Sequence, residues 1–193
     1  MPPKGTKSAA AELVAMPSSS LPTPALQSRT LRMSYRIARG EQGVLTFEPY
    51  KGYLLPLWRF KTAPIAQSSS EALKSAFDTY VTNGDLVGAD MARKFIQMGM
   101  TRAKRYANHK GGKKYNRSER EIERDGGTRV QLPRSDNHEG RDEKLQASNI
   151  FREVWKNCME DKAYLKLREA FLEEQKIWDR DEHDGDKDSA ASS

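Results

Sequence analysis

The sequence holds few residues of the kinds that build disulfide frameworks, zinc sites or membrane spans. One cysteine, Cys158, excludes an internal disulfide, and three widely spaced histidines leave no Cys/His zinc pattern. No apolar run approaches the roughly 18 residues that a membrane-spanning helix needs. We therefore expect no metal, no cofactor and no membrane partner. A reducing compartment fits this composition, namely the cytoplasm, with the nucleus or an organelle as alternatives.

The chain has 193 residues, of which 36% are hydrophobic and 31% are charged. This length suits one domain, and the mean hydropathy of -0.84 predicts a modest core with disordered flanks. We expect a disordered tail over 1–28, one globular domain over 29–178, and an acidic disordered tail over 179–193. The first of these tails has a single acid, Glu12, so an organelle transit peptide is an alternative interpretation of it.

Acidic residues are almost absent from the middle of the chain. Residues 93–120 carry ten Lys or Arg against Glu119 alone, whereas residues 141–193 carry ten basic and fourteen acidic residues. A basic field of this density attracts phosphate groups. A solvated, solubilising surface is the alternative.

The patterning predicts an α+β fold, a mainly helical single domain with a short antiparallel β-hairpin over about 43–60. Residues 43–48 alternate in polarity and residues 53–60 form a second apolar run, in which Pro56 favours a sheet edge. Apolar residues spaced by three and four predict helices at about 69–82, 86–109, 143–159 and 162–177. A long polar loop over 113–140 separates the second and third helices.

Helix boundaries also have local signals. A capping box, Ser68 to Glu71, predicts the start of the first helix, and Asn83–Gly84 predicts its end. Asp85 is a candidate N-cap for the second helix, and Gly111–Gly112 should terminate it.

The second predicted helix has a basic face opposite a Met-rich apolar face. Met91, Met98 and Met100 are expected in the core, because methionine fills irregular gaps. Trp58-Arg59-Phe60-Lys61 interleaves aromatic and basic residues, a composition that can stack bases and hold phosphates, although both aromatics could instead enter the core. We predict that these segments bind nucleic acid or another phosphate-bearing ligand through Arg93, Lys94, Gln97, Lys104, Arg105, Lys110, Lys113, Lys114, Arg59 and Lys61.

Arg102 falls on the apolar side of the same helical wheel, between Met91 and Phe95. A buried guanidinium needs a partner, and Glu41 or Glu48 are the candidates, unless the arginine grips an anionic ligand. A kink at Gly99 would instead rotate the residues that follow it.

A ligand pocket is the alternative use of Arg102. The loop Arg39-Gly-Glu-Gln-Gly43 could present backbone N–H groups to an anion, although a turn with positive φ at Gly40 or Gly43 explains it equally well. A cationic histidine at a helix end could hold a phosphate. The candidate pocket residues are Arg39, Glu41, Arg102, Tyr106, Asn108 and His109.

Three segments together resemble one protein family. They are YRIARGEQGVLTFEPYKGYLLPLWRFKTAPIA (35–66), VGADMARKFIQMGMTRAKRYANHKGGKKY (87–115) and IFREVWKNC (150–158). They are similar to the family of domain of unknown function 4385, and the likeness spans roughly 34–171. The two tails and the loop over 116–140 depart from it. The resemblance implies a single intracellular domain and carries over no activity and no catalytic residues.

We therefore expect an intracellular polyanion-binding module, with nucleic acid as the first candidate ligand. The alternative is a small enzyme or sensor that binds a phosphorylated molecule in a pocket with Arg39, Glu41, Arg102 and His109. A third hypothesis is a protein-interaction module whose acidic tail screens the basic face until a partner arrives. The sequence leaves open whether any catalysis occurs.

Overall fold

The computed structural model of the protein describes residues 21–190, with side chains through residue 181. This part of the chain contains eight α-helices and no β-strand, so the expected α+β fold with a hairpin is wrong. A single isolated bridge between Tyr115 and Gln131 is the β pairing found within it. The helices are α1 (Pro24–Gln27), α2 (Arg29–Ser34), α3 (Tyr50–Leu54), α4 (Ala63–Thr82), α5 (Leu86–Asn108), α6 (Glu119–Asp125), α7 (Arg141–Glu160) and α8 (Lys162–Ala190).

The predicted hairpin is a series of turns followed by α3 and a 3₁₀ turn over Leu55–Leu57. Its backbone bonds are local: Val44 N–H donates to Glu41 C=O at 3.3 Å, and Thr46 N–H donates to Gly43 C=O at 3.1 Å. Pro56 fits at the start of a 3₁₀ turn, where no backbone N–H is needed. The alternating polarity therefore arises from turns in which Val44 packs on the core, and not from a strand.

The long central helices begin and end at specific side chains. Thr62 caps α4, six residues before the predicted capping box, which lies inside the helix and is a wrong start signal. The Asp85 side chain accepts the Gly88 N–H at 3.0 Å and caps α5 as predicted. The predicted stop after Asn108 is also correct, because Gly111 and Gly112 both adopt positive φ.

Helix α5 is the centre of the molecule, and α4 and α7 form its main contacts, with α3 and α8 on its other sides. Met91 and Met98 are buried and Met100 is partly buried, which confirms the methionine face as core. At Gly99 the chain approaches α7 so closely that an added Cβ would lie 2.6 Å from the Phe151 ring. The helix is continuous through Gly99, so no kink redirects the residues after it.

Both predicted tails overlap helices of the structure. Ala25 in α1 is fully buried, and its N–H donates to the Tyr50 hydroxyl at 3.0 Å, so the domain starts before residue 29. Helix α8 continues to Ala190, past the predicted end at 178. Its Gln175 side chain donates to Tyr35 C=O at 2.7 Å and so ties α8 to the end of α2. The remaining parts of the two predicted tails, residues 1–20 and 191–193, lie outside the described residues.

The predicted polar loop 113–140 has structure of its own. Ser118 and Glu121 form a capping box that starts α6. Arg117 donates to Gly126 C=O at 3.0 Å and to Asp125 at 3.1 Å, which closes this segment on itself. The segment joins the body beside the end of α5, where Ser135 N–H donates to Asn108 C=O at 2.9 Å. It therefore forms one wall of a cleft at this end of α5.

Candidate functional site: a basic aromatic cleft

The end of α5, the segment after α3 and the chain around α6 enclose a cleft of about 750 Å³, here called the basic cleft. Five cationic side chains line it: Arg102, Arg105, Lys113, Arg117 and Arg129. Four aromatic rings line it as well: Trp58, Phe60, Tyr106 and Tyr115. Two carboxylates, Glu119 and Glu121, complete its charged groups.

The rings on the body side of the cleft contact one another. Trp58 and Phe60 have centroids 4.9 Å apart, and Phe60 and Tyr106 have centroids 5.8 Å apart. Both Trp58 and Phe60 are half-buried, while Arg59 and Lys61 are exposed. The indole N–H of Trp58 is buried and has no hydrogen-bond partner among the described residues. The two aromatics therefore line the cleft while they pack on the edge of the core.

The cations of the cleft differ in how far they are engaged. Arg129 pairs with Glu119 at 2.6 Å and stacks on Tyr115, with its guanidinium carbon 4.1 Å from the ring centroid. Arg105 donates from Nε to Gly112 C=O at 2.7 Å. Within the described chain, Arg102 and Lys113 have no acidic partner within salt-bridge distance. The positive charge nearest α5 is therefore available to an anionic ligand.

The two carboxylates lie on the α6 side of the cleft, and each accepts a hydrogen bond from the protein. Glu119 accepts from Arg129, and Glu121 accepts the Ser118 N–H at 2.5 Å. That hydrogen bond, together with one from the Ser118 side chain, lowers the pKa of Glu121. The cleft is consequently cationic beside α5 and contains negative charge beside α6.

The helical wheel predicts that Arg93 and Lys94 lie on an exposed basic face. The structure shows that this prediction is wrong, because both residues are buried. Arg93 is 6% exposed and Lys94 is 1% exposed, and both surround the fully buried Asp90. Asp90 accepts from Arg93 Nε at 2.8 Å, while Lys94 Nζ lies 3.5 Å from its other oxygen. The wheel assumes one solvent face, whereas the first half of α5 is enclosed on all sides. Gln97, also expected on that face, is half-buried and accepts from Arg93 at 3.0 Å.

Two tyrosines complete this buried cluster. The Asp90 carboxylate accepts from Tyr35 OH at 2.5 Å and from Tyr164 OH at 2.6 Å, so it joins the end of α2 to α8. Burial alone would raise the pKa of Asp90, but the two adjacent cations outweigh burial and hold the pKa below its usual value. Burial lowers the pKa of Lys94, although Asp90 favours its charged form. The cluster holds the fold together and offers no access to a ligand.

The remaining residues of the predicted basic face lie at the surface around the end of α5. Lys104, Lys110 and Lys113 are exposed, and Arg105 is half-buried. Lys114 is half-buried and lies 5.4 Å from the centroid of the Tyr115 ring. The predicted face therefore divides into a buried half near Asp90 and an exposed half near the end of α5, of which only Arg105 and Lys113 line the cleft.

The predicted partners of Arg102 bind elsewhere. Glu41 accepts from the Thr101 hydroxyl at 2.5 Å, and Glu48 pairs with Lys51. Arg102 is half-buried and lines the cleft beside Met98 and Trp58. The expected bridge to either glutamate is therefore wrong, because Glu41 binds the hydroxyl of the residue before Arg102 on α5 and Glu48 binds a lysine three residues along the chain.

The alternative pocket is not assembled as a unit. Arg102 and Tyr106 line the basic cleft, but Arg39, Glu41, Asn108 and His109 do not. Gly40 and Gly43 both have positive φ, so the loop that contains Arg39 follows the turn interpretation. His109 is buried at the end of α5, where its Nδ1 has no hydrogen-bond partner within the described chain.

Several cleft residues were not predicted. Tyr115, Arg117 and Arg129 come from the segment expected to be a loop, and no periodic pattern marks them. Tyr115 follows Lys113 and Lys114 directly, so the aromatic–basic interleaving used for residues 58–61 would have found it. The spacing of Asp90, Arg93 and Lys94, three and four residues apart, was likewise a visible sign of an ion cluster.

The described residues contain no group of three His, Cys, Asp or Glu side chains that could hold a metal ion. In the same part of the chain, no helix has the length and apolar character needed to cross a membrane.

The chain was also compared with known proteins. Searches of curated proteins and of solved structures found no match. A search of protein families matched residues 18–174, which extends the likeness to the N-terminal segment that contains α1 and α2. With most of its length matched, the chain belongs to the family described as "Domain of unknown function (DUF4385)".

Proposed function

We propose that this protein binds nucleic acid through the basic cleft and the exposed cations around the end of α5. The observation that carries the proposal is the set of cations without an acidic partner in the described chain. Arg102 and Lys113 line the cleft, and Lys104 and Lys110 are exposed near the same end of α5. Cations that are not neutralised by the protein are the ones that can release counterions from a phosphate backbone.

The arrangement supports a polyanion rather than a single small anion. The cations extend along the last turns of α5 and into the chain after it, from Arg102 to Lys113. Arg59 and Lys61 are exposed next to Phe60 in sequence, although they do not line the cleft. Contacts of this kind position a backbone and give little sequence preference. An intracellular location, the cytoplasm first and the nucleus or an organelle as alternatives, belongs to the same proposal.

Fluorescence anisotropy with labelled oligonucleotides over several salt concentrations tests the proposal. If about five phosphates are contacted, the slope of log K against log salt should lie between about −4 and −5 for a duplex. Absence of binding at about 50 mM salt, where electrostatic contacts are little screened, would refute the proposal.

A charge-matched pair of variants separates the cleft from general positive charge. Arg102→Gln with Lys113→Gln should weaken binding and reduce the salt slope by about two, because two phosphate contacts are lost. Lys162→Gln with Lys166→Gln removes the same charge from exposed positions on α8 and should have little effect. Equal losses in both variants would mean that the cleft is not the binding surface.

A further inference from the structure

The cleft is lined by aromatic rings as well as by charged groups, and three of these rings contact one another in a row. We call Trp58, Phe60 and Tyr106 the aromatic wall, because each ring contacts the next at 4.9 and 5.8 Å. All three rings line the cleft, and Tyr106 is 38% exposed. A partly exposed ring in a cationic cleft is the usual platform for a nucleic-acid base.

The aromatic wall is held in position before any ligand arrives. Gly112, at a φ of +69°, lies so close to Tyr106 that an added Cβ would be 2.8 Å from the ring. Lys144 of α7 donates from Nζ to Phe60 C=O at 2.8 Å and to Lys61 C=O at 2.6 Å. The same ammonium lies 5.1 Å from the Phe60 ring centroid and 5.6 Å from that of Tyr106. A platform fixed in this way loses little conformational entropy when a base stacks on it.

Charge in the cleft is distributed so that a phosphate and a base would occupy different sides. Arg102 lies one helical turn before Tyr106 on α5, which puts an unpaired guanidinium next to the aromatic wall. The opposite side carries Glu119 and Glu121 together with Arg117 and Arg129, so its formal charges cancel and it attracts a phosphate less than the α5 side does. Its carboxylates can accept hydrogen bonds from the amino groups of a base. The volume of about 750 Å³ lies within the range of pockets that enclose small ligands, about 300–1,000 Å³.

We infer that the basic cleft takes an unpaired nucleotide, so that the protein selects single-stranded over double-stranded nucleic acid. The base stacks on the aromatic wall and its phosphate binds Arg102. In a duplex both faces of each base are covered by neighbouring bases, so a duplex can use the cations but not the wall. This inference rests on the proposed function, because it specifies which nucleic acid the same surface binds.

The test compares one oligonucleotide of about twelve residues as a single strand and as a duplex, at matched salt. We expect the single strand to bind more tightly. Phe60→Leu with Tyr106→Leu keeps apolar volume but removes two rings, and it should weaken single-strand binding by about 5- to 150-fold, the range of one stacked base. Binding of the duplex should be unchanged.

Two controls accompany these variants. Tyr106→Phe, made alone, keeps both rings and should retain the single-strand affinity of the unaltered protein. Tyr53→Leu removes a half-buried ring that does not line the cleft and should leave the affinity unchanged. With the unaltered protein, a strand that contains 2-aminopurine should lose fluorescence on binding, because the probe is quenched when it stacks. This measurement does not depend on the folding of any variant.

The possible failures are distinguishable. Binding of both forms with equal affinity, without quenching and without an effect of the ring substitutions, would overturn the single-strand inference and leave the proposed function intact. No binding of either form at low salt would overturn both.

Discussion

Among the described residues, Asp90 is the carboxylate that contacts both buried cations of α5, and its replacement should strongly destabilise the protein. Asp90→Asn keeps the shape of the side chain but leaves Arg93 and Lys94 buried at 6% and 1% exposure without a counter-charge. Removal of one partner from a buried ion pair costs about 3–5 kcal/mol. With a mid-range urea m value of about 2 kcal/mol per M, a loss of about 4 kcal/mol lowers the unfolding midpoint by about 2 M.

Urea unfolding followed by tryptophan fluorescence measures this change. The matched control is Asp78→Asn, which removes a carboxylate that is 52% exposed and pairs with Lys74 at the surface of α4. That variant should lose no more than about 1 kcal/mol. If Asp90→Asn unfolds at the same urea concentration as the control, the carboxylate does not neutralise the buried cations and the reasoning is refuted.

The same variant has a distinct dependence on pH. The pKa of Asp90 is lower in the folded protein than its ordinary value of about 3.9. As pH falls below about 4, the unfolded chain therefore takes up a proton that the folded chain does not, and stability is lost as pH falls through the folded pKa. Asp90→Asn lacks this contribution. The difference in unfolding free energy between the two proteins should therefore shrink with falling pH, and a constant difference would contradict the assignment.

Three other expectations follow from the packing. Gly99→Ala should destabilise the protein by about 1–3 kcal/mol in urea unfolding, because the added Cβ would lie 2.6 Å from the Phe151 ring. Gly52→Ala is the control and should not destabilise it, because the nearest atom to its Cβ would be 3.4 Å away. Equal stability of the two variants would show that Gly99 does not lie against Phe151. Burial raises the pKa of the Cys158 thiol to about 12, so a thiol reagent should label it only in denaturant, and rapid labelling of the native protein would contradict this. A chain shortened to remove α1 loses the buried Ala25 and should melt a few degrees below a chain that begins just before α1; equal melting temperatures would show that α1 does not stabilise the domain.

The sequence by itself determined where α5 begins and ends and which of its faces is rich in methionine. Asp85 accepts a backbone N–H at the start of the helix, and the positive φ of Gly111 and Gly112 ends it. Both signals act within a few residues, so they do not depend on the rest of the fold. The methionine face was also predictable, because Met91 and Met98 recur at a spacing that places them on one side of a helix. The family resemblance was also visible in the sequence, and the family match over residues 18–174 confirms it.

The tertiary structure decided which parts of that helix meet solvent. A helical wheel assigns one polar face, but α4, α7, α3 and α8 enclose the first half of α5. Arg93 and Lys94 are therefore buried against Asp90, whereas Lys104 on the same predicted face is exposed. The alternating residues 43–48 were misleading in a similar way, because local turn hydrogen bonds and one buried contact at Val44 replaced a partner strand.

The basic cleft depended on the tertiary structure most of all. Its walls come from the end of α5 and the chain around α6, and from the segment after α3, which is far from them in sequence. Composition could indicate that residues 58–61 and 93–120 favour phosphate, because charge and aromatic content are local properties. Whether Arg102 meets a glutamate or an open cleft depends on where distant carboxylates find their donors, and Glu41 and Glu48 find theirs at Thr101 and Lys51.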